Sequence, residues 1–141
     1  MVGVRWVHDH MDDFFAKTAL IVNCEHPSQT LAYLLNSGIM TTNAVSARRW
    51  YVGGSNALKR IATDSFKEFG VSVYALPETS PGGELSALFD KAPSFHIIDH
   101  VIYHTTLDTS SLVPAWGLEA ATRAYLKIID GVNALSLAQL R

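Results

Sequence analysis

The sequence predicts an α/β fold in which a layered sheet, mixed or largely parallel, is flanked by helices. Segments of strand composition alternate with segments of helical periodicity along the chain. The run from Thr18 to Cys24 is apolar on both faces, as in strands covered by helices on both sides. The 141 residues are 48% hydrophobic and carry no linker or repeat, so we expect residues 1–141 to form a single domain.

The first third of the chain contains a helix followed by strands. Apolar residues recur at spacings of three and four from Val2 to Phe15, which predicts a helix. We expect Thr18 to Cys24 to be a central strand and Arg48 to Val52 to be a second strand. The segment from Gln29 to Asn36 fits a strand or a short helix equally well, and the pattern leaves both open.

The middle of the chain contains the clearest helix signal. Gly53 and Gly54 predict a turn, Ser55 an N-cap, and Asn56 to Phe69 a helix that ends at Gly70. The remaining elements are predicted from local composition and periodicity. They are a strand from Val71 to Ala75, a flexible loop from Pro77 to Gly83, a helix from Glu84 to Phe89, a strand from Ser94 to Asp99, and a helix from Leu118 to Leu135.

The charge, hydrophobicity and cysteine content of the sequence argue against several classes of function. The 11 Lys and Arg against 13 Asp and Glu give a formal charge of -2 without a basic run, which excludes nucleic acid as an expected partner. No apolar stretch approaches the roughly 20 residues of a membrane span, and the charged N-terminal segment is unlike a signal peptide. We expect a soluble protein, cytoplasmic by default. The single cysteine, Cys24, cannot form an intramolecular disulfide, and we expect a small buried side chain there.

Two polar clusters follow predicted strands. The first is Asn23 to His26 and the second is Tyr103 to Thr109. Loops beyond the carboxyl ends of strands are where α/β sheets hold their sites, and zinc accepts both carboxylate and imidazole ligands. Glu25 and His104 are therefore candidate ligands, although a solvated acid and a hydrogen-bonded loop histidine are the ordinary readings of such residues.

A second arrangement of histidines is less favoured. His96, His100 and His104 recur every four residues and would align on a helix, but the β-branched and aromatic residues between them argue against a helix.

The second cluster carries a resemblance to a known family. Tyr103, His104, Thr105, Asp108 and Thr109 form Tyr-His-Thr-x-x-Asp-Thr before a long terminal helix. This pattern resembles the last metal-ligand motif of the di-zinc aminopeptidases of peptidase family M twenty-eight, the leucyl aminopeptidase and glutamate carboxypeptidase type. The resemblance implies that His104 binds zinc, while Asp108 and Thr109 tie the loop to the following helix.

The first cluster fits the same family. Its members end a central strand with Asn-x-Asp or Asn-x-Glu, whose carboxylate binds the other zinc, and Asn23 and Glu25 are similar. The resemblance implies supporting roles for Asn23, His26 and Tyr103 around these ligands. It also implies part of a phosphorylase/hydrolase-like aminopeptidase fold, a site for two zinc ions in the complete domain, and a peptide or amide substrate.

The resemblance covers only the second half of the family's domain. It runs from about Gly3 to Leu135 and departs at Gly83 to Phe89, where the family has a Ser-Asp-His-x-x-Phe-like loop. The family's His-x-Asp and Glu-Glu pairs, which supply the bridging ligand and the general base, have no counterpart in this sequence. We therefore expect a metallo-aminopeptidase domain without catalytic residues of its own, inactive alone.

The alternative is a non-catalytic α/β module that serves in binding or assembly. A half-sheet exposes an edge or an apolar face, so association is expected, either as a homodimer or with a missing N-terminal half.

Overall fold

The computed structural model describes residues 2–10, 12–73, 86–89, 91–98 and 102–141. Its helices are α1 (Val2–Asp9), α2 (Asn56–Glu68), α3 (Ser86–Phe89), α4 (Ala115–Asn133) and α5 (Leu137–Leu140). Its strands are β1 (Ile21–Val22), β2 (Thr30–Leu35), β3 (Gly38–Val45), β4 (Arg49–Gly53) and β5 (Ser94–Ile98). Short 3₁₀ turns lie at Phe15–Lys17 and Ser110–Leu112. Among the described helices, none is both long and apolar enough to cross a bilayer.

Strands β1, β5 and β4 form a mixed sheet in that order. Strand β1 runs parallel to β5 and pairs Ile21 with Ser94, whereas β4 runs antiparallel to β5 and pairs Tyr51 with His96. A mixed sheet with helices confirms the general α/β class that the sequence predicts.

The two faces of this sheet carry different kinds of side chain. On one face, Trp50, Val52, Phe95 and Ile97 are buried in a core with residues of α2 and α4. Burial of such side chains stabilises the fold by about 1.5–3 kcal/mol each. The pairing register places Ile21, Tyr51, Ser94 and His96 on the opposite face, because neighbouring residues of a strand alternate between faces.

Helix α3 reaches the second face through Phe89. The Phe89 ring contacts the rings of Tyr51 and His96 edge-on, at centroid distances of 5.9 and 5.5 Å. A Cβ atom at Gly53 would lie 2.7 Å from the Phe89 carbonyl oxygen and 2.8 Å from Ser94 Oγ. Only glycine permits this close approach of α3 to β4.

The predicted capping of α2 is present. Ser55 accepts a hydrogen bond from the Leu58 N–H at 3.3 Å, and the helix ends at Glu68, just before Gly70 in the left-handed region at φ 67°. Glycine adopts this conformation without the steric cost that other residues meet there.

Two predictions about the N-terminal segment are wrong. The strand predicted from Thr18 to Cys24 is only Ile21–Val22, and it lies at one edge of the described sheet instead of its centre. The Thr18 N–H completes the preceding 3₁₀ turn by donating to Phe15, and Asn23 starts a turn, so the extended run is cut at both ends. The helix predicted to reach Phe15 ends at Asp9. The Trp6 ring of α1 contacts the rings of His10 and Phe14, which follow the helix.

The ambiguous segment is a strand, and its partner was not predicted. β2 pairs antiparallel with β3 in a hairpin that turns at Asn36 and Ser37. Most side chains of this hairpin are exposed, including Tyr33, Leu34 and Met40. Without a buried face, β3 has no apolar alternation, which is why the sequence pattern did not indicate it.

Most of the other predicted elements agree within the described ranges, but Val71 and Ser72 of the strand predicted from Val71 to Ala75 are not in a strand. The strand from Ser94 is β5, and the terminal helix is α4, which begins at Ala115. Near Val71 the described residues show one parallel bridge, between Arg48 and Val73. Residues 74–85, which include the predicted loop at Pro77 to Gly83, lie outside the described residues, as do His100 and Asp99.

Candidate functional site

The Asn23–His26 segment leaves β1 through a tight local turn. The Glu25 N–H donates to Asn23 Oδ1 at 3.2 Å, and Asn23 Nδ2 lies 3.5 Å from Glu25 Oε2. An asparagine that bonds to the backbone two residues later is typical of such turns. The Glu25 side chain remains 32% exposed, so its carboxylate is held in place and still reaches solvent.

Tyr125 fixes the end of β1 from the core side. Its hydroxyl donates to the Asn23 carbonyl oxygen at 3.0 Å and accepts from the Ile97 N–H at 3.3 Å. Burial raises the pKa of this hydroxyl well above its usual range, so it keeps its proton and can serve both bonds. In the sequence, Tyr125 is one of the residues at helical spacing in the helix predicted from Leu118 to Leu135, and nothing there indicates a role for its hydroxyl. A buried tyrosine needs a partner for its hydroxyl, and that requirement was the available signal.

The two predicted polar clusters meet in the structure. The rings of His26 and Tyr103 contact edge-on at a centroid distance of 4.8 Å, and Tyr103 stacks on His104 at 3.7 Å. On the other side, His26 Nε2 lies 3.8 Å from Glu25 Oε1. A continuous series of contacts therefore links the candidate ligand Glu25 to the candidate ligand His104. His26, to which the sequence gave only a supporting role, is the residue that joins the two clusters.

Backbone conformation is unusual at both histidines of this series. His26 has φ 48° and His104 has φ 60°, both in the left-handed region that residues other than glycine seldom adopt. Local strain of this kind is maintained only where surrounding contacts hold it, and it recurs at functional sites.

The rest of the Tyr103–Thr109 loop is exposed and held by short-range bonds. Thr105 Oγ1 donates to the carbonyl oxygen of the buried Ile102 at 2.6 Å. Asp108 donates its N–H to the Thr105 carbonyl at 3.2 Å. Thr109 precedes the 3₁₀ turn that leads to α4, and its hydroxyl lies 2.8 Å from that of Ser111.

His96 lies near this site on β5, fully buried. Its ring contacts Tyr51 at a centroid distance of 4.8 Å, and 2% of the residue is exposed. Burial, together with the nearby His26, lowers the pKa of His96 to about 4, so the ring is neutral near pH 7. The sequence considered this residue only within the three-histidine arrangement. Its place between the core residues Phe95 and Ile97 indicated a histidine on the second covered face of the sheet.

The exposure of Cys24 differs from what the sequence predicted. The sequence favoured a small buried side chain, but Cys24 is exposed because β1 ends at Val22 and the chain turns outward there.

Among the described residues, the candidate ligands match zinc in chemistry but not in number. Glu25 and His104 offer carboxylate and imidazole, both zinc ligands. Within the described ranges, no group of three or more His, Cys, Asp or Glu side chains is arranged to hold a metal ion. A catalytic zinc ordinarily has three protein ligands, so the described residues do not form a complete centre.

Comparisons with known proteins leave the family open. The chain matches no protein-family model, no curated protein and no solved structure.

Proposed function

We propose that this chain supplies part of the metal centre of a zinc-dependent aminopeptidase with a phosphorylase/hydrolase-like fold, and that it is inactive alone. In this proposal Glu25 and His104 each bind one of two zinc ions. The observation that carries the proposal is the contact between His26 and Tyr103, which joins the two ligand motifs.

Topology supports this proposal. β1 and β5 are adjacent and parallel, so their carboxyl ends lie at the same edge of the sheet. The Asn23–His26 segment follows β1 and the Tyr103–Thr109 segment comes after β5. Ligand sites of α/β sheets lie beyond such ends.

The count of ligands limits what the chain can do. Zinc would polarise the carbonyl of a peptide or amide substrate in a complete domain. This chain would contribute one carboxylate and one imidazole, oriented by the Asn23 turn and by the His26 and Tyr103 rings. The remaining ligands and the general base would come from a missing N-terminal half.

A non-catalytic binding or assembly module is the second candidate. The exposed β2–β3 hairpin favours it, because residues 30–45 include no charged side chain and expose Tyr33, Leu34, Leu35 and Met40. Exposed apolar patches of this kind mark interaction surfaces, and a homodimer is one such assembly.

Calorimetric titration of the 141-residue chain with zinc separates the two candidates. We expect Glu25→Ala and His104→Ala each to weaken zinc binding at least tenfold, about 1.4 kcal/mol. His8→Ala, which removes an exposed histidine of α1, is the matched control and should leave the affinity unchanged. If all three variants bind zinc as the wild-type chain does, Glu25 and His104 are not its ligands and the metal proposal fails. If the wild-type chain binds no zinc, the site either needs the remaining ligands of the complete domain or has been lost, and the assembly module is then the better-supported candidate.

A further inference from the structure

The β2–β3 hairpin has apolar strands and yet lies in solvent. Its base is anchored, since Thr30 is buried and its hydroxyl donates to the Thr42 carbonyl oxygen at 2.8 Å. Beyond the base, residues 33–38 are all exposed, and they begin with the consecutive apolar residues Tyr33, Leu34 and Leu35. A run of exposed apolar residues of this kind is avoided on ordinary protein surfaces unless it serves a function.

The pairing register places most of these side chains on one face of the hairpin. Tyr33 pairs with Met40, and Leu35 pairs with Gly38. Because paired residues lie on the same side of an antiparallel ladder and successive residues alternate, these four residues share one face. We call them the hairpin face. Tyr33, Leu35 and Met40 are 48%, 51% and 48% exposed, whereas Leu34 lies on the opposite face.

The hairpin lacks the support and the protection that exposed strands ordinarily have. It has two strands, and no third strand pairs with either of them among the described residues. An isolated two-stranded hairpin is at best marginally stable in water. Exposed strand edges are normally protected from association by charged side chains or proline, and residues 30–45 contain neither. We therefore expect another protein surface to cover the hairpin face.

The lack of charge favours a second copy of this chain as the covering surface. A charged partner would find no complementary charge in residues 30–45, whereas two identical uncharged faces meet without like-charge repulsion. A two-fold axis brings the same patch of two copies together, and two-fold dimers are the commonest soluble oligomers.

The exposed area indicates how strong such a dimer can be. Half of a large side chain is roughly 100 Å², so three of them with the residues between them present about 400 Å² per copy. The two copies together would bury about 800 Å², which is at the low end for specific interfaces and is typical of weak, transient association.

We propose that two copies of this chain form a weak two-fold dimer in which the hairpin face of one packs against the hairpin face of the other. This inference rests on the assembly candidate and names its partner. It uses neither Glu25 nor His104, so it does not depend on zinc.

Sedimentation velocity of the 141-residue chain without zinc tests the dimer. Between about 10 µM and about 1 mM, we expect a shift from monomer to dimer with a Kd on the order of 100 µM. Met40→Lys and Leu35→Lys should each raise the Kd about tenfold or more, because they bring like charges together in the interface. Leu34→Lys is the matched control, since it adds the same charge on the opposite face of the same hairpin and should leave the Kd unchanged. Circular dichroism of each variant reports whether it is folded.

A mixing experiment identifies the partner as a second copy. Met40 lies near the middle of the hairpin face, so the two Met40 side chains come close to each other across the two-fold axis. Met40→Lys and Met40→Glu should each be monomeric alone, and an equimolar mixture of the two should form a dimer because their charges are opposite.

The proposal is overturned if the wild-type chain stays monomeric over this range, which would leave the hairpin face to a different protein. Assemblies larger than a dimer, an equal effect of Leu34→Lys and Met40→Lys, or no dimer in the mixture would overturn it as well. Zinc titration of the same samples tests Glu25 and His104 separately, so failure of the dimer and failure of the metal proposal are told apart.

Discussion

Replacement of Tyr125 by phenylalanine should destabilise the protein by about 2 kcal/mol. The substitution removes a single oxygen atom, so the packing of the ring against Phe95 is kept. It leaves the buried Ile97 N–H without its acceptor, and an unpaired buried group costs about 1–3 kcal/mol. The Asn23 carbonyl also loses its donor, but Asn23 is only partly buried, so water can replace the hydroxyl there at little cost.

Urea denaturation followed by tryptophan fluorescence measures this change, since Trp50 is buried in the core. Tyr33→Phe is the matched control, because Tyr33 is 48% exposed on the hairpin and its substitution should stay within about 0.5 kcal/mol. A second readout tests the positioning role: the amide shifts of Asn23 and Glu25 should move in Tyr125→Phe alone. If Tyr125→Phe and Tyr33→Phe are equally stable, the hydrogen bonds of the Tyr125 hydroxyl to β5 and to the end of β1 do not stabilise the fold.

Two further predictions concern the second face of the sheet. The free energy of unfolding should fall as pH drops from 6.5 toward 4, because in this range His96 is protonated in the unfolded chain but not in the folded chain. The expected slope is up to about 1.4 kcal/mol per pH unit. The His96→Phe variant should lack this contribution. If urea titrations give the wild-type protein and His96→Phe the same dependence of stability on pH, His96 does not make this contribution. Gly53→Ala should lower stability by about 1–3 kcal/mol in thermal unfolding, because its Cβ would collide with Phe89 and Ser94. Gly3→Ala is the control, because no described atom lies within 4 Å of the added Cβ. If Gly3→Ala lowers stability as much as Gly53→Ala does, a collision with Phe89 and Ser94 is not the cause.

The elements that sequence reasoning predicted well are those whose signals are local. Helix α2 carries its own start and stop in Ser55 and Gly70, and β4 and β5 are apolar runs of ordinary strand length. The strand at Thr18 to Cys24 was overestimated because hydrophobicity cannot reveal where the Asn23 side chain bends the backbone. β3 was missed because a hairpin without a buried face lacks periodicity.

The candidate site was predictable as two separate strand ends but not as one arrangement. The rule that sites lie beyond strand ends predicted both clusters, and the zinc roles of Glu25 and His104 stay predictions. His26 lies between Glu25 and His104 because its backbone is left-handed and its ring contacts Tyr103, which is far from it in sequence. Neither feature could be predicted from the sequence pattern. Tyr125 and His96 were missed as polar groups because their surroundings are apolar in sequence, and their importance comes from burial.

The strand order has a consequence for how this protein is made. β5 lies between β1 and β4, so in the described sheet neither outer strand has its partner until the ribosome has synthesised the later part of the chain. Helix α4, which covers the same sheet, comes later still. The hydrogen bonds within the hairpin and within α2 join residues that are near in sequence, so these elements can form early, whereas closing the sheet joins segments that are far apart in sequence. The nascent chain therefore presents β4 with a bare edge during synthesis, a state that chaperones protect from aggregation.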